Sequence, residues 1–161
     1  MFKNMKKQLN NEKGLTLIEL LAVIVILAII AVIAVPAIGK VIANTKDKAV
    51  LAEASNILSG AKIAVVDGAC KDTEATVGTE KVITTTCNQA ALKGFVQGIP
   101  EKDGTVDITY SAERVGNDWS VSYSRFANIS NSKYNSGIVL GKTDEANLNK
   151  LLNNEGTVPA N

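Results

Sequence analysis

Two features near the start of the chain could do chemistry: the carboxylate of Glu19 and the backbone bond after Gly14. Glu19 opens a long apolar run, since residues 20–38 contain no charge and no hydrogen-bonding side chain. A charged group at the centre of a membrane helix costs about 2.5–3.5 kcal/mol and marks function by default. Glu19 lies near one end of the run, where the cost is lower and a partner is easier to reach. No Lys or Arg occurs between residues 15 and 39, so the run itself holds no cationic partner. A cut after Gly14 would create one. The new α-amine on Leu15 would have a reference pKa of about 7.7–8 and be largely cationic at neutral pH. It would lie one helical turn, ~6 Å, from Glu19. The carboxylate could then pair with its own amine or with that of a neighbouring copy. Pairing between copies would fix axial register, which hydrophobic contact alone does not, because it is non-directional. The helix macrodipole also favours a carboxylate at this place. Gly14 suits a cut: it has no Cβ to hinder a protease and weakens helix by about 1 kcal/mol relative to alanine.

The remaining composition is mostly exclusive. The chain has 161 residues, with 17 Lys plus Arg against 16 Asp plus Glu. That balance argues against a general nucleic-acid binder. There is no histidine, which removes Ser-His-Asp and Cys-His nucleophiles and His-ligated metals. No GxxxxGK[ST] or GxGxxG phosphate loop occurs, and no acid-base cluster points to an enzyme or to a cofactor. Asp103, Asp107, Asp144 and Glu145 lack the ligand count of a calcium site. Asn128-Ile129-Ser130 matches a glycosylation triplet, a frequent chance match.

The elements that must position Glu19 follow from the charge pattern. Lys3, Lys6, Lys7 and Lys13 stand against Glu12 alone before the apolar run. The run is long enough to cross a bilayer, which needs ~20 residues. The basic flank places the N-terminus in the cytoplasm by the positive-inside rule. The run exceeds the usual apolar core of a secretory signal peptide. A plain membrane anchor would leave Glu19 unexplained. Pro36 removes one backbone donor and is expected to kink the helix. Beyond it, Val50, Leu51, Ala54, Ile57, Leu58, Ala61, Ala64 and Val65 recur at spacings of three and four, an amphipathic helix face. Asp67-Gly68 reads as the helix end. The spacing therefore predicts one helix over about 15–66, apolar all round in its first half and amphipathic in its second.

The segment Lys13-Gly14-Leu15-Thr16-Leu17-Ile18-Glu19-Leu20-Leu21 closely resembles the class III signal of type IV prepilins and pseudopilins. The resemblance implies an α+β pilin fold of lollipop form. Its long N-terminal helix, half transmembrane and half amphipathic, packs on a small antiparallel sheet. It implies that residues 1–14 are a leader removed by a prepilin peptidase between Gly14 and Leu15, and that Leu15 is then N-methylated. Residues 15–39 would be the transmembrane and assembly helix, and 40–161 the globular head with the amphipathic half-helix. Glu19 matches the family's acidic assembly residue and Pro36 its helix-kinking proline; Leu15 departs from the commoner aromatic. The family also implies a homopolymer, an assembly platform with an ATPase, the membrane as the location before assembly, and a host or surface adhesion target. Surface work such as adhesion, biofilm formation or motility would follow. A pseudopilin of a secretion or competence system is the rival reading, and an uncleaved membrane-anchored binding domain a third. The family picture further implies that residues 28–36 lose helical order in a filament.

In the head, residues 67–104 read as a loop region with one short helix, for which Thr86 and Gln89 fit a capping box. Residues 105–110 alternate as a strand with Val106, Ile108 and Tyr110 on one face. Residues 115–118 read as a turn. Trp119, Val121, Tyr123 and Arg125 share a face of the next strand, and residues 137–140 form a third. Thr143 is the expected cap of a final helix through Leu152. The expected sheet is a three-stranded antiparallel meander, and the tail from 156 to 161 is expected to be loose. Cys70 and Cys87 either form one disulfide, as export to a permissive compartment allows, or remain buried thiols. Family members often bridge the C-terminal region instead, which this chain cannot do.

Overall fold

The structure, a computed structural model, describes residues 16–77 and 80–153. Gly14, Leu15 and the tail from 156 to 161 lie outside the described residues. Helix α1 spans Leu17–Val66 as one uninterrupted α-helix that includes Pro36. The chain divides into two compact units, Met1–Val41 and Ile42–Asn161. The described part of the first unit consists of Thr16 and α1 up to Val41.

The second unit is a helix-on-sheet domain. It contains α1 from Ile42 onward, then β1 (Lys71–Val77), β2 (Glu80–Cys87), α2 (Gln89–Leu92), β3 (Lys102–Asp103) and β4 (Val106–Asp107). β5 (Tyr110–Val115), β6 (Asp118–Tyr123), a 3-10 turn (Ser124–Asn128), α3 (Ser132–Asn135), β7 (Lys142–Asp144) and α4 (Glu145–Leu152) follow. Five strands form one antiparallel sheet in the order β1-β2-β5-β6-β7, and β3 and β4 form a separate short ribbon.

The apolar stripe of α1 is the core face that its spacing predicts. Val50, Leu51, Ala54, Ile57, Leu58, Ala61 and Ala64 are all buried and recur at spacings of three and four, so they stack on one side of the helix. They share one core with Cys87, Leu92, Ala112, Val121, Tyr123, Phe126, Leu148 and Leu151. Gly60 lies on the same face, and a Cβ there would come within 2.5 Å of Val96 Cγ2 and 2.9 Å of the Phe95 carbonyl oxygen. Glycine is what lets the two segments approach this closely. The helix ends in a Schellman motif: Gly68 has φ +77, its N–H donates to the Val65 carbonyl, and the Ala69 N–H donates to the Ala64 carbonyl. This arrangement satisfies carbonyls that a helix end would otherwise leave unpaired.

Polar ties hold the sheet side to α1. Asp47 is buried, and its two carboxylate oxygens accept the backbone N–H groups of Ser130 (3.1 Å) and Asn131 (2.9 Å). Glu53 accepts from Arg125 Nη1 at 2.7 and 2.8 Å and from the Tyr123 hydroxyl at 2.6 Å. Arg125 Nε reaches Asp103 at 3.3 Å. A disulfide joins Cys70, just past the end of α1, to Cys87 at the end of β2, with Cα atoms 4.7 Å apart.

Several expectations for the head are corrected. Residues 71–87 form a hairpin, not a loop, because their β-branched Thr, Val and Ile content favours extended chain. The sheet therefore has five strands rather than three. Thr86 lies in β2, and the short helix after it is capped by Asn88, whose side chain accepts from the Ala91 N–H at 2.9 Å. The strand expected at 105–110 is split: Val106–Asp107 is β4 of the short ribbon and the sheet strand β5 begins at Tyr110, and Val106 is exposed while Ile108 is buried, so they do not share a core face. Arg125 falls in the 3-10 turn beyond β6. The third strand lies at Lys142–Asp144 rather than 137–140. Residues 139–142 are instead a tight turn, in which Val139 and Lys142 exchange two backbone hydrogen bonds of 2.9 Å. Leu140 and Gly141 occupy its centre at φ +50 and +74. The final helix is capped by Asp144, whose side chain accepts from the Asn147 N–H at 2.7 Å, one residue after Thr143.

Candidate functional site

The candidate site is the start of α1. Thr16 is the N-cap: its carbonyl accepts the first helical bond, from the Leu20 N–H at 3.1 Å. Its hydroxyl accepts from the Glu19 N–H at 3.3 Å, and Glu19 Oε2 accepts back from the Thr16 N–H at 2.7 Å. The Thr16 hydroxyl also donates to Oε2, at 2.8 Å. This is a capping box, in which two unpaired helix-end donors are satisfied reciprocally. All three bonds use one carboxylate oxygen or the hydroxyl; Oε1 takes part in none of them.

Thr16 was not among the residues expected at the site. The Thr-x-x-Glu pattern immediately before an apolar run was the available signal. The carboxylate is thus held toward the helix N-terminus, the side on which the Gly14–Leu15 bond lies in sequence.

The surface that follows Glu19 is apolar and open. Leu17, Ile18, Leu20, Leu21, Val23, Ile24 and the large aliphatic residues onward to Ile38 are exposed. α1 is long and apolar enough in this stretch to cross a membrane. Residues 17–38 would span ~33 Å as helix, against a hydrocarbon core of ~30 Å. Lys40 is the first basic residue after Glu19. Pro36 is accommodated within the helix. Cys70 and Cys87 are brought together as a disulfide in the second unit. No group of three or more metal-ligating side chains occurs among the described residues.

Residues 9–35 match the family description of the prokaryotic N-terminal methylation motif. No curated protein and no solved structure matches the chain. The motif, on a membrane-capable helix with α+β structure after it, supports a type IV pilin-like or pseudopilin precursor. The chain carries the motif that marks type IV pilins and pseudopilins. That motif implies processing by a prepilin peptidase and assembly into a pilus-like polymer, and it fits a membrane-anchored precursor.

Proposed function

We propose that the chain is a type IV pilin, a structural subunit rather than an enzyme. It is cut between Gly14 and Leu15, N-methylated on Leu15, and polymerised into an extracellular filament. The reading is carried by the methylation motif over residues 9–35 on a helix whose large apolar residues up to Ile38 are exposed. An apolar surface of that extent needs lipid before assembly and other copies of itself afterwards. Glu19 supplies the directional element. In the single chain its Oε2 is satisfied by Thr16, and Oε1 is the oxygen through which a neighbouring Leu15 ammonium pairs. Removing the leader discards Lys3, Lys6, Lys7 and Lys13, which otherwise hold the chain at the cytoplasmic face. Pro36 gives the helix the site at which it bends or opens in the filament. The filament serves adhesion, biofilm formation or surface motility, and its assembly platform and ATPase are separate proteins.

The test is direct. Surface material is sheared from cells, imaged by electron microscopy, and its main subunit is sequenced from the N-terminus. Filaments whose subunit begins at methyl-Leu15 are expected. A surface chain that begins at Met1, or filaments built from another protein, would overturn the reading.

A further inference from the structure

One cavity of the second unit is bounded by polar groups that the fold leaves without partners. It measures about 530 Å³ and lies between the β5–β6 turn and the start of α4, within the ~300–1,000 Å³ of small-molecule sites. The turn and the start of β6 supply Asn117, Asp118 and Trp119, and α4 with its cap supplies Asp144, Glu145 and Asn149. Both walls are fixed. Trp119 is paired in the sheet with Arg114 and Asp118 with Val115. Asp144 accepts the Asn147 N–H at the start of α4, and Glu145 is ion-paired with Lys62 of α1. The side chains of Asn117, Asp118 and Asn149, and the indole N–H of Trp119, have no hydrogen-bond or ionic partner among the described residues.

The lining excludes most classes of ligand. Asp118, Asp144 and Glu145 repel an anion. An apolar ligand would leave the amides and carboxylates desolvated and unpaired. A cation would approach a ring beside which Lys62 Nζ and Arg114 Cζ already stand, 5.9 and 5.8 Å from the centroid, and their charge opposes a third. A neutral polyhydroxyl ligand meets none of these costs. Each of its hydroxyls both donates and accepts, which suits two amides that do both, a carboxylate that only accepts and an indole N–H that only donates. Tryptophan adds an apolar body for the C–H groups of such a ligand. We propose that this cavity binds a neutral saccharide, one pyranose ring seated against Trp119 with its hydroxyls on Asn117, Asp118 and Asn149. The contact needs one copy of the chain and no polymer, so it holds or fails independently of the filament.

Trp119 is the only tryptophan in the chain, so its emission reads the cavity directly. The full-length chain, in a detergent without a sugar headgroup, is titrated with methyl galactoside and with N-acetylglucosamine. A saturable change in emission with a Kd of ~1–10 mM is expected from at least one of them. Asn117→Ala and Asn149→Ala should each weaken that binding about fivefold, the loss of one hydrogen bond. The melting temperature should stay unchanged in both, since neither side chain is bonded within the described residues. Tetramethylammonium and acetate should give no saturation. If neither sugar saturates by ~100 mM, about ten times the weakest expected Kd, or if tetramethylammonium saturates in their place, the ligand class is wrong. Sugar binding that both variants retain at parental affinity would overturn the assignment to this cavity.

Discussion

The Thr16 backbone nitrogen lies 2.7 Å from Glu19 Oε2, and the Glu19 nitrogen lies 3.3 Å from Thr16 Oγ1. One glutamate therefore serves the helix end of its own chain and, in the proposed filament, the amine of a neighbour. The two duties can be told apart by mutation. Thr16→Ala removes only the cap, worth about 1 kcal/mol, and should reduce filament yield mildly. Glu19→Ala removes both and should insert into the membrane normally yet assemble poorly. Quantifying membrane-inserted precursor and sheared filament for each variant checks this. Equal yields from the two variants would reduce Glu19 to a cap.

Glu53, Tyr123 and Arg125 give the second unit an alkaline limit. Burial pushes the Tyr123 hydroxyl well above the ordinary tyrosine range, and its hydrogen bond to Glu53 pushes in the same direction. Burial also raises Tyr110. The fold favours the neutral phenol, so this contribution to stability is complete below the unfolded value near ~10 and is lost as pH rises above it toward the folded value. Denaturant titrations of the full-length chain should show stability falling from pH ~10 upward. Tyr123→Phe should flatten that fall while losing about 1 kcal/mol at neutral pH. An unchanged alkaline slope in Tyr123→Phe would rule out this residue as its source.

The Cys70–Cys87 bridge closes a loop of 17 residues' separation and should contribute about 3 kcal/mol by the chain-entropy argument. Reduction should lower the melting temperature by ~10 °C. Unfolded, non-reduced protein should take up no thiol alkylating agent, and the reduced protein two equivalents per chain. Intact-mass measurement reads both numbers.

Gly60 and Gly94 form a matched pair for testing the packing of α1. Gly60→Ala would press a methyl group against Val96 and the Phe95 carbonyl, an overpacking that costs about 1–3 kcal/mol. Gly94 has nothing within 4 Å of its would-be Cβ. Gly94→Ala should be neutral or stabilise by a few tenths, up to about 1 kcal/mol. Melting curves of the two variants compare them directly.

The parts of this chain that were legible in sequence share a cause. Glu19 stands out because a carboxylate beside 19 apolar residues is expensive, and the core face of α1 because its buried positions follow a strict helical period. Both are signals of burial or of lipid. What was obscure lacks such a signal. β1 is an edge strand whose Lys71, Asp72, Thr73 and Glu74 are all exposed, so no apolar alternation marks it. Thr143 and Asp144 are adjacent residues that can both cap a helix, and only the backbone decides between them. Ile138 and Val139 look like a strand because they are apolar and β-branched, yet they lead into the turn that carries Leu140. Thr16 and Glu19 carry a readable Thr-x-x-Glu pattern, but the apolar run after it is the stronger signal, one of membrane insertion.

The disulfide that ties the end of α1 to the end of β2 has a consequence for how the chain can vary. Everything between Cys70 and Cys87 is a closed loop, and Lys71, Asp72, Thr73 and Glu74 of its outer strand β1 are exposed. Substitutions at those four positions face solvent, and a nick within the closed loop would not release a fragment. The outer strand is therefore where such a chain can diversify its outward face while both ends of the hairpin stay anchored.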